Sequence, residues 1–208
     1  ASDFGLKLTE KGVLRGYACA DIFMAEQNLR EPLRTLNESG KQKFFAEYEK
    51  RELAGSDLDV DLSPAEDIWR RVRHIPYEMV AYPDVEPTLS SLRKRGLKLA
   101  AISNMNRTGK DLAGDLDLTG SLDFVVTSLE VGAEKPYAPI FVQALDRAGV
   151  EAKEAVHVGD QISSDVEGAK NVGIHAVLID RDGNHPNFSA VPRIETLDGL
   201  TEVLKRFS

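Results

Sequence analysis

The sequence has 208 residues, of which 42% are hydrophobic and 29% charged, enough for one or two folded domains with a substantial core. Its net charge of −8 argues against a nucleic acid or an anionic membrane as a partner, and no apolar stretch approaches the length of a transmembrane helix. The single cysteine, Cys19, excludes an internal disulfide framework and fits a reducing, cytoplasmic location.

The first 80 residues have the apolar spacing of helices and contain no strand-like segment. The spacing is clearest in a first helix with apolar positions Val13, Leu14, Tyr17, Ala20, Ile22 and Phe23. Cys19 lies on this stretch and is expected in the core. A later helix is expected to start at Ser63 as N-cap, with Pro64 at its first position and Glu66 completing a capping box. Residues 1–80 are therefore predicted to form a helical module.

From residue 81 onward, short apolar runs alternate with helical segments. The predicted strands are 97–103, 124–128, 155–159 and 175–180. The predicted helices are 84–95, 138–149, 165–172 and 197–207. This alternation is typical of a doubly wound parallel sheet. Residues 81–208 are thus predicted to form an α/β core.

Polar side chains fall where these strands end. They are Ser103 and Asn104, then Lys135, then the acid pair Asp160 and Asp165. Each has a simpler explanation, because Ser103, Asn104 and Asp165 could cap helices and Lys135 could be a solvated lysine. Ligands of such sheets bind beyond the carboxyl ends of the strands, so the shared position favours one site. Carboxylates would hold Mg²⁺ there, while a hydroxyl and an ammonium would hold a phosphoryl group.

Three segments resemble the haloacid dehalogenase (HAD) superfamily. They are "YPDVEPTLSSLRKRGLKLAAISN", "TSLEVGAEKPYAPIF" and "HVGDQISSDVEGAKNVG". The second motif of that family, a Ser or Thr at a strand end, matches Ser103. The third, a Lys before Pro, matches Lys135, and the fourth matches Gly159, Asp160 and Asp165. The helical first third resembles the cap that some members insert after their first strand.

The resemblance implies a role for each position. Ser103, with Asn104 beside it, would contact the phosphoryl group, and Lys135 would stabilise the charge of the nucleophile and the phosphate. Asp160 would bind Mg²⁺, and Asp165 would complete the acidic half of the metal site, orienting it through water or Lys135.

The family's first motif, a nucleophilic Asp-x-Asp at the end of an apolar strand, has no match of that kind. The bare pattern occurs at Asp57, Asp59 and Asp115, but none of these follows an apolar run. A central strand contributes on the order of 10 kcal/mol of burial, comparable to the whole stability of a domain. The strand and its nucleophile are therefore expected upstream of Ala1, within roughly 20 to 30 residues.

The function indicated is a Mg²⁺-dependent phosphatase that hydrolyses a small phosphorylated metabolite through an aspartyl-phosphate intermediate. The alternatives are a 2-haloacid dehalogenase and a non-catalytic HAD-like binding protein. Dehalogenases of this fold use no metal and have Ser at the position of Asp160, which favours the phosphatase. A monomer or homodimer without nucleic-acid or membrane partners is expected. His157 and His175 lie in predicted strands and are expected to be structural.

Overall fold

The computed structural model describes residues 4–207, and the chain divides into two compact units, residues 1–77 and 78–208. We call them the helical unit and the α/β unit. The helical unit contains α1 (Glu10–Arg30), α2 (Glu38–Ala54) and α3 (Leu62–Val72). Side-chain caps start the first two: Thr9 accepts from the N–H of Gly12, and Asn37 accepts from the N–H of Gly40.

The apolar centre of the helical unit joins α1 to α2 through Ala20, Phe44 and Tyr48. Phe45 of α2 stacks on Trp69 of α3, with ring centroids 4.9 Å apart. These aromatic contacts link α2 to both of the other helices.

The packed face of α1 differs from the one that the sequence suggested. Its buried residues include Gly12, Gly16 and Ala20, whereas four of the expected apolar positions are exposed: Val13, Leu14, Tyr17 and Ile22. A Cβ on Gly16 would lie 2.0 Å from the carbonyl oxygen of Glu52. The helices therefore approach closely enough to require small residues. Cys19 is exposed, contrary to the expectation that it lies in the core.

The α/β unit alternates strands and helices along the chain. Its strands are β1 (Ala100–Ser103), β2 (Phe124–Thr127), β3 (Val156–Gly159), β4 (His175–Ile179) and β5 (Arg193–Ile194). Its helices are α4 (Val85–Lys94), α5 (Gly109–Asp115), α6 (Ser128–Val131), α7 (Ala138–Ala148), α8 (Glu167–Asn171) and α9 (Leu200–Leu204). A single π-helical turn, Ile162–Val166, leads into α8.

All strand pairs in the α/β unit are parallel, but they form two sheets. β1 pairs with β2, so that Ser103 lies opposite Thr127. β3, β4 and β5 form the second sheet, in which Gly159 lies opposite Leu178. Within residues 4–207, no second strand pairs with β1 or β3. Each of these two strands therefore has a free edge.

Helices cover both faces of the strands, as the alternation of side chains along β4 shows. Ala176 and Leu178 pack into a cluster with α7 and α8, and this cluster also contains Val126 of β2. Val177 and Ile179 pack on the opposite face with α4 and α9. One helical layer thus spans both sheets, and the predicted doubly wound α/β fold is confirmed.

Several boundaries differ from the sequence prediction. α3 begins at Leu62, so its N-cap is Asp61 and not the expected Ser63. The strand expected over 97–103 begins at Ala100, and β5, with only two residues, was not predicted. Among the described helices, none combines the length and the apolar character that crossing a bilayer requires.

Candidate functional site

The five residues expected to form the site lie at the carboxyl ends of strands or in the loops that follow. Ser103 ends β1, and Asn104 follows it. Lys135 lies between α6 and α7, and its peptide bond to Pro136 is cis. Asp160 follows β3, and Asp165 lies in the π-helical turn. Hydrogen bonds and an ion pair join Asn104, Lys135 and Asp165. Asp160 lies close enough to be influenced by the charges of Lys135 and Asp165, and Ser103 precedes Asn104 in the chain.

Lys135 and Asp165 form a buried ion pair. The Nζ of Lys135 lies 2.6 Å from Oδ1 of Asp165, and their side chains are 14% and 3% exposed. Asp165 also accepts a hydrogen bond from the backbone N–H of Gln161 at Oδ2, 3.0 Å away. Burial alone would disfavour its charged form, but Lys135 and His157 hold the pKa of Asp165 well below its usual range. Asp165 is therefore a fixed anion that orients the lysine.

The backbone of β3 makes room for Asp165. A Cβ at position 159 would lie 2.2 Å from Cγ of Asp165, so only glycine fits there. Two residues earlier on the same strand face, Nε2 of His157 lies 3.0 Å from Oδ1 of Asp165. Gly159 leaves space for the carboxylate of Asp165, and His157 contacts it.

Asp160 differs from Asp165 in its surroundings. Its carboxylate accepts a hydrogen bond from its own backbone N–H, and the residue is exposed. Desolvation by the protein around it, followed by the charge of Asp165, raises the pKa of Asp160, while the charges of Lys135 and Arg181 act in the opposite direction. A second negative charge close by is the arrangement that a bound cation would relieve.

Asn104 joins β1 to the lysine loop. Its Oδ1 accepts a hydrogen bond from the backbone N–H of Lys135 at 2.6 Å, and its Nδ2 donates to the carbonyl of the same residue at 2.9 Å. The strand end that carries Ser103 is thereby tied to the loop that carries Lys135.

Two residues near the site were missed by sequence reasoning. His157 was expected to be structural, and its contact with Asp165 was not predicted. A histidine within a buried apolar run is a signal for such a contact, because its ring nitrogens need partners. Arg181 follows β4, lies close enough to influence Asp160, and makes a two-pronged ion pair with Asp84 at 2.9 and 3.0 Å. Its position directly after a predicted strand was the available signal.

None of the three Asp-x-Asp matches follows a strand. Asp57 and Asp59 lie in the loop after α2 with side chains about nine-tenths exposed or more. Asp115 ends α5 and pairs with Arg107. Because α5 connects two parallel strands, its last residue lies toward the opposite end of the sheet from the site. Their rejection as the nucleophile motif agrees with these positions.

The acid pair fits a magnesium ion that keeps several water ligands. Mg²⁺ is commonly held by one or two carboxylates together with water and substrate phosphate. Asp160 has the carboxylate available for direct coordination, and Asp165 already accepts three hydrogen bonds. Within residues 4–207, no three His, Cys, Asp or Glu side chains cluster closely enough to hold a metal by themselves.

Comparison with known proteins confirms the resemblance to the haloacid dehalogenase family. The model of the haloacid dehalogenase-like hydrolases matches residues 14–173. The chain belongs to this family of hydrolases. The HAD match includes parts of both units, and the motifs at Ser103, Lys135 and Asp160 fall within it.

Two curated relatives illustrate the range of the HAD family. The mouse haloacid dehalogenase-like hydrolase domain-containing protein 3 is 41% identical over 133 residues, which are 62% of this chain and 52% of the relative. The glyceraldehyde 3-phosphate phosphatase of Methanopyrus kandleri is 37% identical over 135 residues, or 60% of this chain and 58% of the relative. The alignments thus span little more than half the length of these relatives.

Solved HAD structures align over almost the whole chain. A HAD phosphatase from Thermococcus onnurineus is 31% identical, with a TM-score of 0.57, covering 96% of this chain and 94% of that one. A 2-haloacid dehalogenase from Pseudomonas syringae is 25% identical with the same TM-score and the same coverage. Fold similarity therefore does not separate phosphatase from dehalogenase, and the distinction depends on the site residues.

Proposed function

We propose that this chain is the greater part of a Mg²⁺-dependent phosphatase that hydrolyses a small phosphorylated metabolite through an aspartyl-phosphate intermediate. The observation that carries the proposal is the acid pair after β3. Asp165 is occupied by Lys135 and His157, whereas Asp160 remains open as a cation ligand. A metal-free dehalogenase has no use for this second carboxylate.

Each residue then has a role in the proposed reaction. Ser103 hydrogen-bonds the phosphoryl group, and Lys135, oriented by Asp165, neutralises charge on the phosphate and the nucleophile. Asp160 would hold Mg²⁺, which supplies further positive charge to the phosphate oxygens. Asp165 acts through Lys135 and is a positioning residue.

The nucleophile, on this proposal, belongs to a strand outside residues 1–208. The free edges of β1 and β3 support it, because their carboxyl ends carry Ser103 and Asp160 and a parallel strand between them would bring an Asp-x-Asp to the same place. We also propose that the helical unit is the cap domain and that its residues determine substrate specificity.

Sugar phosphates are the proposed substrate class, because the relative from Methanopyrus kandleri is named for one. We also propose a cytoplasmic location, on the basis of the single cysteine. That the protein is a monomer or a homodimer stays a prediction.

The test is a panel of phosphate esters, beginning with glyceraldehyde 3-phosphate, assayed with full-length protein in the presence and absence of a chelator. We expect phosphate release that requires Mg²⁺, is abolished in Asp160→Asn and is reduced less in Asp165→Asn. Halide release from a 2-haloacid that persists with chelator would instead establish the dehalogenase.

A further inference from the structure

The side-chain amide of Asn104 contacts the main chain of a single residue. It accepts from the N–H of Lys135 at 2.6 Å and donates to the carbonyl of Lys135 at 2.9 Å. A primary amide that satisfies the N–H and the C=O of one residue acts like a neighbouring strand would, because it fixes that segment in position and in orientation.

This contact restricts the motion of Lys135. Lys135 has a long side chain with a high rotamer entropy, and it lies in a loop between two helices. Asp165 fixes the ammonium at the tip of that side chain. Asn104 fixes the backbone from which the side chain starts, so that both ends of the lysine are held by different elements.

We propose that Asn104 is a positioning residue for Lys135, and not a ligand of the substrate. The inference builds on the proposed phosphatase function, which gives Lys135 its role in stabilising charge. Both ends of the amide are directed by the main chain of Lys135, so its orientation is set before any substrate arrives. Loss of the amide displaces the ammonium relative to the reacting phosphate, and such small misplacements lower the rate of the chemical step.

The first experiment measures steady-state kinetics of the full-length enzyme with the best ester of the panel. Asn104→Ala is expected to lower kcat about tenfold and to change KM less than about twofold, because it removes alignment and not a substrate contact. Asn106→Ala is the matched control, since Asn106 is an exposed asparagine of the same loop. It should leave both constants unchanged.

The second experiment does not depend on activity. Amide hydrogen exchange of the Lys135 N–H, measured by NMR, should accelerate in Asn104→Ala and stay unchanged in Asn106→Ala. Asn104→Asp keeps an acceptor for this N–H and should retain part of its protection.

Two results would overturn the proposal. One is a rise of tenfold or more in KM for Asn104→Ala at unchanged kcat, which would make Asn104 a substrate ligand. The other is Lys135 exchange that is the same in wild type and Asn104→Ala. Because exchange is measured without substrate, the proposal on Asn104 can fail while the phosphatase function stands. Conversely, altered exchange in Asn104→Ala together with no phosphate release from any ester would support the contact and contradict the phosphatase function.

Discussion

At the scale of single residues, the pair formed by Lys135 and Asp165 is the best-defined feature of the site. Both side chains are largely removed from water and lie in contact. A buried pair of this kind contributes little net stability over a well-packed apolar pair, but removing one partner leaves an uncompensated charge. Replacing one partner alone should therefore lower the stability much more than replacing both.

We predict that Lys135→Met lowers the free energy of unfolding by about 3 kcal/mol or more, because Asp165 stays buried without its cation. Adding Asp165→Asn should restore part of that loss, since a neutral amide can still accept from the N–H of Gln161 through its oxygen and donate to Nε2 of His157 through its nitrogen. Urea unfolding of the two single variants and the double variant gives the coupling energy. A coupling indistinguishable from zero would show that the two groups do not interact in solution.

At the residue scale, residue type and spacing were enough to propose the candidate site residues, but not the contacts between them. Lys135 and Asp165 are 30 positions apart, and their contact depends on how two loops approach. The contacts of His157 and Asn104 depend on side-chain rotamers in the folded protein, which no spacing rule specifies. Acids at the ends of parallel strands are visible in sequence because every strand of such a sheet ends at one edge.

At the scale of elements, α1 shows why its packed face could not be predicted from apolar spacing. A pattern of large apolar residues predicts the buried stripe when helices pack at an ordinary distance. Here the backbone of α1 lies so close to the end of α2 that Gly12 and Gly16 form the contact. The large apolar residues lie on the exposed side of α1, so the apolar pattern predicts the wrong face as buried.

A pair of glycine substitutions tests this close approach. Helix propensity predicts that Gly→Ala stabilises a helix by up to about 1 kcal/mol. We expect Gly114→Ala in α5 to do so, because nothing lies within 4 Å of the added Cβ. Gly16→Ala should instead destabilise the protein by about 2 kcal/mol, because its Cβ would meet the carbonyl of Glu52. Thermal unfolding distinguishes the two, and equal effects would contradict the contact.

The interface of α1 and α2 also contains carboxyl groups that titrate together. Burial, followed by the charge of Glu49 and a hydrogen bond with it, raises the pKa of Glu52 to about 7, and the charge of Asp21 adds to this. Burial raises the pKa of Glu49 as well. Asp21 itself accepts from the hydroxyl of Tyr48 at 2.9 Å.

We predict that stability falls as the pH rises from about 4.5 to about 7, because in this window folded Glu52 keeps a proton that the unfolded chain has lost. The upper limit of the loss is about 3 to 4 kcal/mol, at about 1.4 kcal/mol per pKa unit, and the partial exposure of Glu52 reduces it. Urea midpoints at pH 5 and pH 8 measure the effect. Glu52→Gln should flatten the dependence; an unchanged slope in that variant would assign it to other groups.

At the scale of the whole molecule, the order of the longer elements was predictable from sequence because short apolar runs are easily told from helical spacing. Short elements were not: β5 has two residues, too few for any period to show. The division of the strands into two parallel sheets was also beyond local patterns, since it depends on which strands become neighbours.

The proposed central strand leads to a prediction about the chain as a whole. Residues 1–208, made alone, should fold poorly and hydrolyse no phosphate ester. A version extended upstream to include an apolar run ending in Asp-x-Asp should melt cooperatively at a higher temperature. Calorimetry and phosphate release compare the two forms. A stable, monomeric and active 208-residue protein would return Asp57, Asp59 and Asp115 to consideration as nucleophiles.

The free edges of β1 and β3 have a further consequence for handling the protein. An unpaired strand edge offers a row of N–H and C=O groups that a strand of another molecule can pair with. β1 has the sequence "AAIS" and β3 has "VHVG", and neither carries the lysine or proline that commonly blocks such pairing. Until another strand covers these edges, self-association through intermolecular sheet formation should increase with protein concentration and with the time that refolding takes.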